Sequence, residues 1–340
     1  MWVAIGWVLT ALLIALVLVR TAIGYAYRRG MLDQPGQRRS HIVPTPRGGG
    51  IGVVLATLLC VPGALWCSPH GWPGSVVLGL AGALVLVAAA GWWDDHRPLP
   101  VLPRLGIQIL GVVWFSLGLL SGDLSLWWLP LLLVAGVWSI NLHNFMDGID
   151  GLLAQQTIFV ASGLTLLAWM EEQPELAIAT ASLAAATLGF WWYNRTPARI
   201  FMGDVGSGSI GLLIFAFSAM LWRLDHGLAA AALILSSSFL VDAGLTLLTR
   251  MWRGRRWHAA HREHLYQWLV RSGGTHAGTD AVYLAWNLLI AAPGAWLAAS
   301  HQQAALPTTI VVYLIAAAAW LTLKRRCLRR KLPGGGHVAA

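Results

Sequence analysis

Apolar residues run through this chain in long stretches, not in the alternation of a half-buried strand or the single stripe of a surface helix. The stretches fall at about 2–24, 49–66, 74–93, 104–121, 124–140, 153–170, 175–193, 206–222, 228–249, 281–300 and 306–323, each closed by Gly, Pro or charge. A helix rising 1.5 Å per residue crosses a hydrocarbon layer in ~20 residues, so each stretch is read as one transmembrane helix. The first has no basic leader and no small-residue cleavage site, and it is too long for a signal-peptide core, so it is expected to stay as a span.

Composition strengthens this reading. Of 340 residues 57% are hydrophobic and 11% charged, against roughly a quarter charged in a soluble domain. Mean hydropathy is +0.64, which excludes a disordered chain. The expected fold is an all-α integral membrane protein, a polytopic bundle of about 11 transmembrane helices with a cytosolic-face active site. Residues 1–325 are expected to form a single catalytic domain, and 326–340 a basic, Gly-rich tail.

The net charge of +9 would suggest nucleic acid if it lay along one element, but it lies in short connections between apolar runs. All 23 Lys and Arg except Arg223 fall at alternate connections or in the C-terminal tail. The positive-inside rule then puts the C-terminus in the cytosol and the N-terminus in the periplasm or cell exterior. Tryptophan pairs such as Trp92 with Trp93 and Trp127 with Trp128 sit at run ends, as in an interfacial belt. Three cysteines with no framework spacing indicate no disulfide scaffold.

Only 14 acidic residues occur, so their positions carry information. Asp94 and Asp95 end the third run, Asp147 and Asp150 follow the fifth, Asp204 precedes the eighth, and Asp242 lies inside the ninth. Carboxylates at a hydrocarbon edge are costly, and several at one face suit a hard divalent cation, Mg2+ or Mn2+, with phosphate. Asp147 and Asp150, three apart, would share one side of a helical turn, with Gly148 and Gly151 leaving backbone open to a ligand. Phe201-Met-Gly-Asp-Val-Gly-Ser-Gly-Ser209 opens the eighth run, where helix N-H groups suit phosphate and Asp204 could hold the bridging metal. In the first cytosolic loop Arg47 offers forked donors to phosphate, and Gly48 to Gly50 would let the second helix start close to a ligand. The ninth connection carries Arg256, His258, His261, Arg262 and His264. With no Cys nearby and few acids, zinc is not expected there.

In order along the chain stand Pro44-Thr-Pro-Arg-Gly-Gly-Gly50, Trp93-Asp-Asp-His-Arg97, Asn144-Phe-Met-Asp-Gly-Ile-Asp-Gly151, Asn194 with Phe201-Met-Gly-Asp-Val-Gly-Ser207, and Asp242 through Arg250 to His264. From about Arg28 to Gln267 this set resembles the polyprenyl-phosphate N-acetylhexosamine-1-phosphate transferases, glycosyltransferase family 4. The resemblance implies transfer of a sugar-1-phosphate from a UDP-N-acetylhexosamine to undecaprenyl phosphate within membrane lipids, with release of UMP. It implies that Asp204 is a Mg2+ ligand, that Asp94, Asp95 and Asp147 are catalytic, and that Asp150 and Asn194 lie near the nucleotide. His264 joins the catalytic candidates, and Arg47, Asn144, Arg256 and His261 the substrate-binding ones. The family often carries His-x-His-His in the ninth cytosolic loop, preceded three residues earlier by Asp. Aligned on His264, this chain has Tyr266 and Gln267 for the last two histidines and His261 for the Asp. That departure favours the subgroup that initiates O-antigen or exopolysaccharide chains with GlcNAc or a 6-deoxy relative. A peptidoglycan-type transferase and an ion-coupled transporter are the alternatives; the transporter would need midplane charges and broken helices. Nucleic acid is not an expected partner, and a homodimer is left open.

Overall fold

The structure, a computed structural model, describes residues 2–34, 43–66, 71–122, 124–255 and 261–329. Among the described residues the regular structure is helical apart from one antiparallel ribbon of two two-residue strands. The elements are α1 (Trp2–Arg29), β1 (Leu32–Asp33), β2 (Thr45–Pro46), α2 (Ile51–Trp66), α3 (Gly74–His96), α4 (Val101–Leu120), α5 (Leu129–Phe145), α6 (Leu152–Met170), α7 (Pro174–Asn194), α8 (Asp204–Leu224), α9 (His226–Leu235), α10 (Ser237–Trp252), α11 (Leu265–Arg271), α12 (His276–Trp286), α13 (Ala292–Ser300) and α14 (Gln302–Arg329). A π turn, Asn287–Ala291, joins α12 to α13.

Among the described residues nine helical segments are long and apolar enough to cross a membrane, or ten when α9 and α10 count as one bent span. The protein is therefore a multi-pass membrane protein. The expected run 49–66 became α2, a shorter apolar helix of 16 residues with Pro62 inside it, so the count of eleven is not established. The run 228–249 does not form one straight helix: α9 and α10 meet at Ser236 with a 73° bend. Gln156 of α6 donates to the freed Leu235 carbonyl (3.3 Å), and Asn287 of the π turn donates to the Gln156 Oε1 (2.7 Å). These bonds satisfy backbone and amide groups that lipid could not. The expected tail begins inside α14, which continues to Arg329; the rest of it lies outside the described residues.

The helix α8 is the axle of the bundle, with α3 and α5 packed along it. Its first two turns, Asp204-Val-Gly-Ser-Gly-Ser-Ile-Gly211, hold three glycines and two serines. A Cβ on Gly206 would stand 2.6 Å from the Gly50 Cα, so α2 and α8 meet backbone to backbone. The glycine before α2 thus serves helix packing, not the ligand approach expected of it. The chain after α7 docks on the ribbon: Phe201 donates to the Pro46 carbonyl (2.8 Å), and Gly49 and Gly50 donate to the Phe201 and Met202 carbonyls (2.9 and 2.8 Å). These bonds bring the segment before Asp204 and the segment holding Arg47 to one end of the bundle.

Candidate active site

At that end the last turn of α3 meets the first turn of α8. Asp95 accepts from the Asp204 N-H at Oδ1 (3.0 Å) and from the Val205 N-H at Oδ2 (3.1 Å). A carboxylate from another helix therefore caps α8, satisfying two of its orphan donors and opposing its positive end. Gly203 precedes that turn with φ +76°, and a Cβ there would lie 2.5 Å from Asp95 Oδ2, so the cap needs glycine. Arg47 donates from Nε to the Asp95 carbonyl (3.1 Å) and from Nη2 to the Asp94 carbonyl (3.2 Å), covering the carbonyl end of α3.

Asp94 faces the other way. Arg104, in the first turn of α4, reaches its Oδ2 at 2.8 Å and the Asp204 Oδ2 at 3.5 Å. The Leu99 N-H donates to Asp94 Oδ1. Asn144 of α5 donates to Asp204 Oδ1 (2.6 Å) and to the Ser207 hydroxyl (3.0 Å). Asp204 is thus held on both oxygens, by an amide and by a guanidinium shared with Asp94. Arg104 entered the sequence reading only as one of the basic residues on a single face. The signal for it was the Pro98-Leu-Pro100 connector, which turns the chain back so that the first turn of α4 faces Asp94.

Asp147 and Asp150 do not share a helical turn. α5 ends at Phe145, and both residues lie in the irregular connection before α6, although both line the same cavity. Burial, then the charges of Asp204 and Asp95, push the Asp147 carboxyl well above the usual range, while the Gly203 N-H opposes this. Asp150 accepts from the Ala198 N-H at Oδ2 (3.1 Å), and its Oδ1 lies 3.3 Å from His276 Nδ1. Gly148 lines the same cavity, and on its Cβ side stands the Tyr266 hydroxyl, which donates to the Phe145 carbonyl (3.0 Å) and would collide with any side chain there.

The cavity has a volume of about 260 Å3. Asp95, Asp147, Asp150 and Asp204 face it with Arg47, and α11 and the chain before it close the wall with Arg262, Gln267 and Arg271. Asp33 of the ribbon and Phe201 also line it. Of the residues expected at the site, Asp94 and Asn144 stand behind Asp204. Asn194 ties two backbones together, accepting from the Gly151 N-H (2.9 Å) and donating to the Ile200 carbonyl (2.9 Å). His264 is 2% exposed and does not line the cavity; its ring stacks on Phe145 and Tyr266. His261 lies beside it, ring centroids 4.9 Å apart, and also stands off the cavity. Arg256 lies outside the described residues.

Among the described residues no three His, Cys, Asp or Glu side chains stand close enough to form a ready-made metal cage. Mg2+, however, is usually held by one or two carboxylates, several waters and substrate phosphates, and it prefers hard oxygen donors. Asp204 and Asp147 meet that description: they face one cavity, where they offer hard carboxylate oxygens to a shared space.

Comparison with known proteins shows the family to which the chain belongs. The profile of glycosyl transferase family 4 matches residues 77–222, from α3 to α8. The decaprenyl-phosphate N-acetylglucosaminephosphotransferase of Mycolicibacterium smegmatis is 30% identical over 309 residues, covering 78% of this chain and 75% of the relative. The undecaprenyl-phosphate alpha-N-acetylglucosaminyl 1-phosphate transferase of Escherichia coli is 28% identical over 295 residues (81% and 79%). The phospho-N-acetylmuramoyl-pentapeptide-transferase of Lactiplantibacillus plantarum is 28% identical over 231 residues (60% and 68%). The chain belongs to glycosyl transferase family 4, among the polyprenyl-phosphate N-acetylhexosamine-1-phosphate transferases, and is a phospho-sugar transferase.

Proposed function

We propose that this enzyme transfers an N-acetylhexosamine-1-phosphate, GlcNAc or a 6-deoxy relative, from a UDP-sugar to undecaprenyl phosphate in a bacterial inner membrane. UMP would leave, and the lipid-linked sugar would begin O-antigen or a related surface polysaccharide. The observation that carries this reading is the cavity itself: carboxylates on one wall and Arg47, Arg262 and Arg271 around it, at one end of an apolar bundle. Such a site suits two anionic phosphates, one of them on a lipid. The relatives named for N-acetylglucosamine phosphate transfer align over more of their length than the one named for the muramoyl pentapeptide, which favours the simpler sugar.

In this reading Asp204, steadied by Asn144 and Arg104, holds Mg2+ with Asp147 beside it. Bound there, Mg2+ would act as a Lewis acid on the donor diphosphate, an effect of several kcal/mol. Arg262 and Arg271 supply positive charge to the phosphates as they approach. Arg271 is held for this by its bond to the Arg262 carbonyl (3.2 Å) and by its stacking over Trp268 (4.5 Å). Asp95 is engaged as the cap of α8 and keeps Asp204 in register. The acceptor phosphate, with a second pKa near 6, is already largely ionised at neutral pH, so direct in-line attack needs no strong base.

The test is release of UMP by purified enzyme given UDP-N-acetylglucosamine, undecaprenyl phosphate and Mg2+. Asp204→Asn is expected to lower turnover at least a hundredfold, on the order of 3 kcal/mol of transition-state stabilisation, with little loss of folded protein. Unchanged turnover in excess chelator would remove the metal. Robust UMP exchange in delipidated enzyme would replace direct attack with a covalent route.

A further inference from the structure

Behind the cavity lies a further buried carboxylate that the transfer reaction does not use. Asp242 of α10 is 1% exposed and serves as a hub for four helices. Its Oδ1 accepts from the Leu265 N-H (2.6 Å) and the Trp320 indole (3.0 Å). Its Oδ2 accepts from the Tyr266 N-H (3.3 Å) and the Tyr283 hydroxyl (2.7 Å). Two of these donors are the first backbone amides of α11, and the others come from α12 and α14. The hub therefore caps α11 from outside and anchors it to three helices of the bundle.

α11 is the element that carries Gln267 and Arg271 to the cavity wall. From its first turn Tyr266 extends as a strut. The Tyr266 hydroxyl donates to the Phe145 carbonyl (3.0 Å), two residues before Asp147, and accepts from Gln267 Nε2 (3.1 Å). The strut can stand there because residue 148 is glycine. A continuous set of bonds thus joins Asp242, the α11 backbone, Tyr266 and the end of α5 next to Asp147.

We infer that Asp242 and Tyr266 are positioning residues, which set the cavity wall on α11 against the Asp147 connection. Neither side chain lines the cavity, so neither is catalytic. This assignment rests on the transfer reaction proposed above, and its effect on the rate follows from geometry. Displacing a reacting group by about 1 Å costs up to a hundredfold in rate, while substrate contacts made equally before and during reaction are spared.

The experiment uses the full-length purified chain and two readouts, steady-state UMP release per folded molecule and amide hydrogen exchange. Tyr266→Phe keeps the ring and the α11 cap but loses the bond to Phe145. Its turnover is expected to fall on the order of tenfold, with the donor KM changed less than about threefold and exchange at residues 265–266 unchanged. Asp242→Asn keeps one accepting oxygen and turns an NH2 towards donors, so exchange across 265–271 is expected to accelerate and turnover to fall with it. If Asp242→Asn does not fold, Tyr283→Phe removes one hub bond away from the cavity and is expected to shift both readouts the same way by less. Wild-type turnover per folded Tyr266→Phe molecule, with only lowered thermal stability, would reduce the strut to a structural contact and overturn the inference. Wild-type exchange in the hub variants would equally overturn it. Exchange decides the α11 cap whether or not the chain transfers a sugar phosphate, which separates failure of the hub from failure of the functional reading.

Discussion

At Gly203 the site depends on the absence of a side chain. Its φ of +76° disfavours any L side chain, and a Cβ would stand 2.5 Å from Asp95 Oδ2. Gly203→Ala must therefore strain the backbone and push aside the carboxylate that caps α8, at a cost on the order of 2 kcal/mol. Thermal unfolding in detergent is expected to show a lower midpoint, and turnover is expected to fall more steeply than stability, because Asp204 is the next residue. A variant with the wild-type midpoint and rate would show that Asp95 does not cap this turn in solution. At this scale the sequence pointed to acids that the fold gathers at one end of the bundle, and it was poor on what each of them touches. Asp94, Asp95, Asp147 and Asp204 stood out because acids are few in an apolar chain. That Asp95 is occupied by two backbone amides, and that Arg104 joins Asp94 to Asp204, depends on α3, α4 and α8 meeting, and no local pattern encodes that meeting.

At the scale of elements, apolar length was a good guide to where helices lie and a poor one to where they break. The bend at Ser236 is satisfied by Gln156, which is distant in sequence, so the run 228–249 looked unbroken. The connection from α10 to α11 was legible as a basic, His-rich loop, yet its two described histidines, His261 and His264, turn inward. Burial, then the neighbouring His264 and Arg250, lower the His261 pKa to about 4, with Glu263 opposing and Lys324 adding to the shift. The sign follows from linkage. An unfolded His binds its proton near pH 6.5 and the folded one only near pH 4, so its contribution to stability is complete above pH 6.5 and is lost as pH falls towards 4. The unfolding midpoint is expected to drop across that window, and His261→Gln should make the drop shallower. An identical slope in the two proteins would mean that His261 is not buried uncharged. The same inward turn of His264 explains why it lies off the cavity, although the sequence made it a catalytic candidate.

Over the whole molecule, charge is divided between the two ends of the bundle. The cavity end holds Arg47, Arg104, Arg262 and Arg271, with Arg253 and Arg255 exposed nearby at the end of α10. The connection from α6 to α7 carries exposed Glu171 and Glu172. Retention of Lys and Arg in the cytosol is the dominant topological signal for short connections, and the donor proposed above is made there, so on both grounds we propose that the cavity faces the cytosol. The expectation is specific. With Cys60, Cys67 and Cys327 replaced, a cysteine at position 171 should react in intact cells with a maleimide that cannot cross the inner membrane. A cysteine at 253 should react only after that membrane is opened. Labelling at 253 in intact cells, with 171 protected until permeabilisation, would place the cavity on the side without UDP-sugars. The donor in the proposed reaction would then have to be replaced by one available outside the cytosol, whatever Asp204 and Asp147 bind.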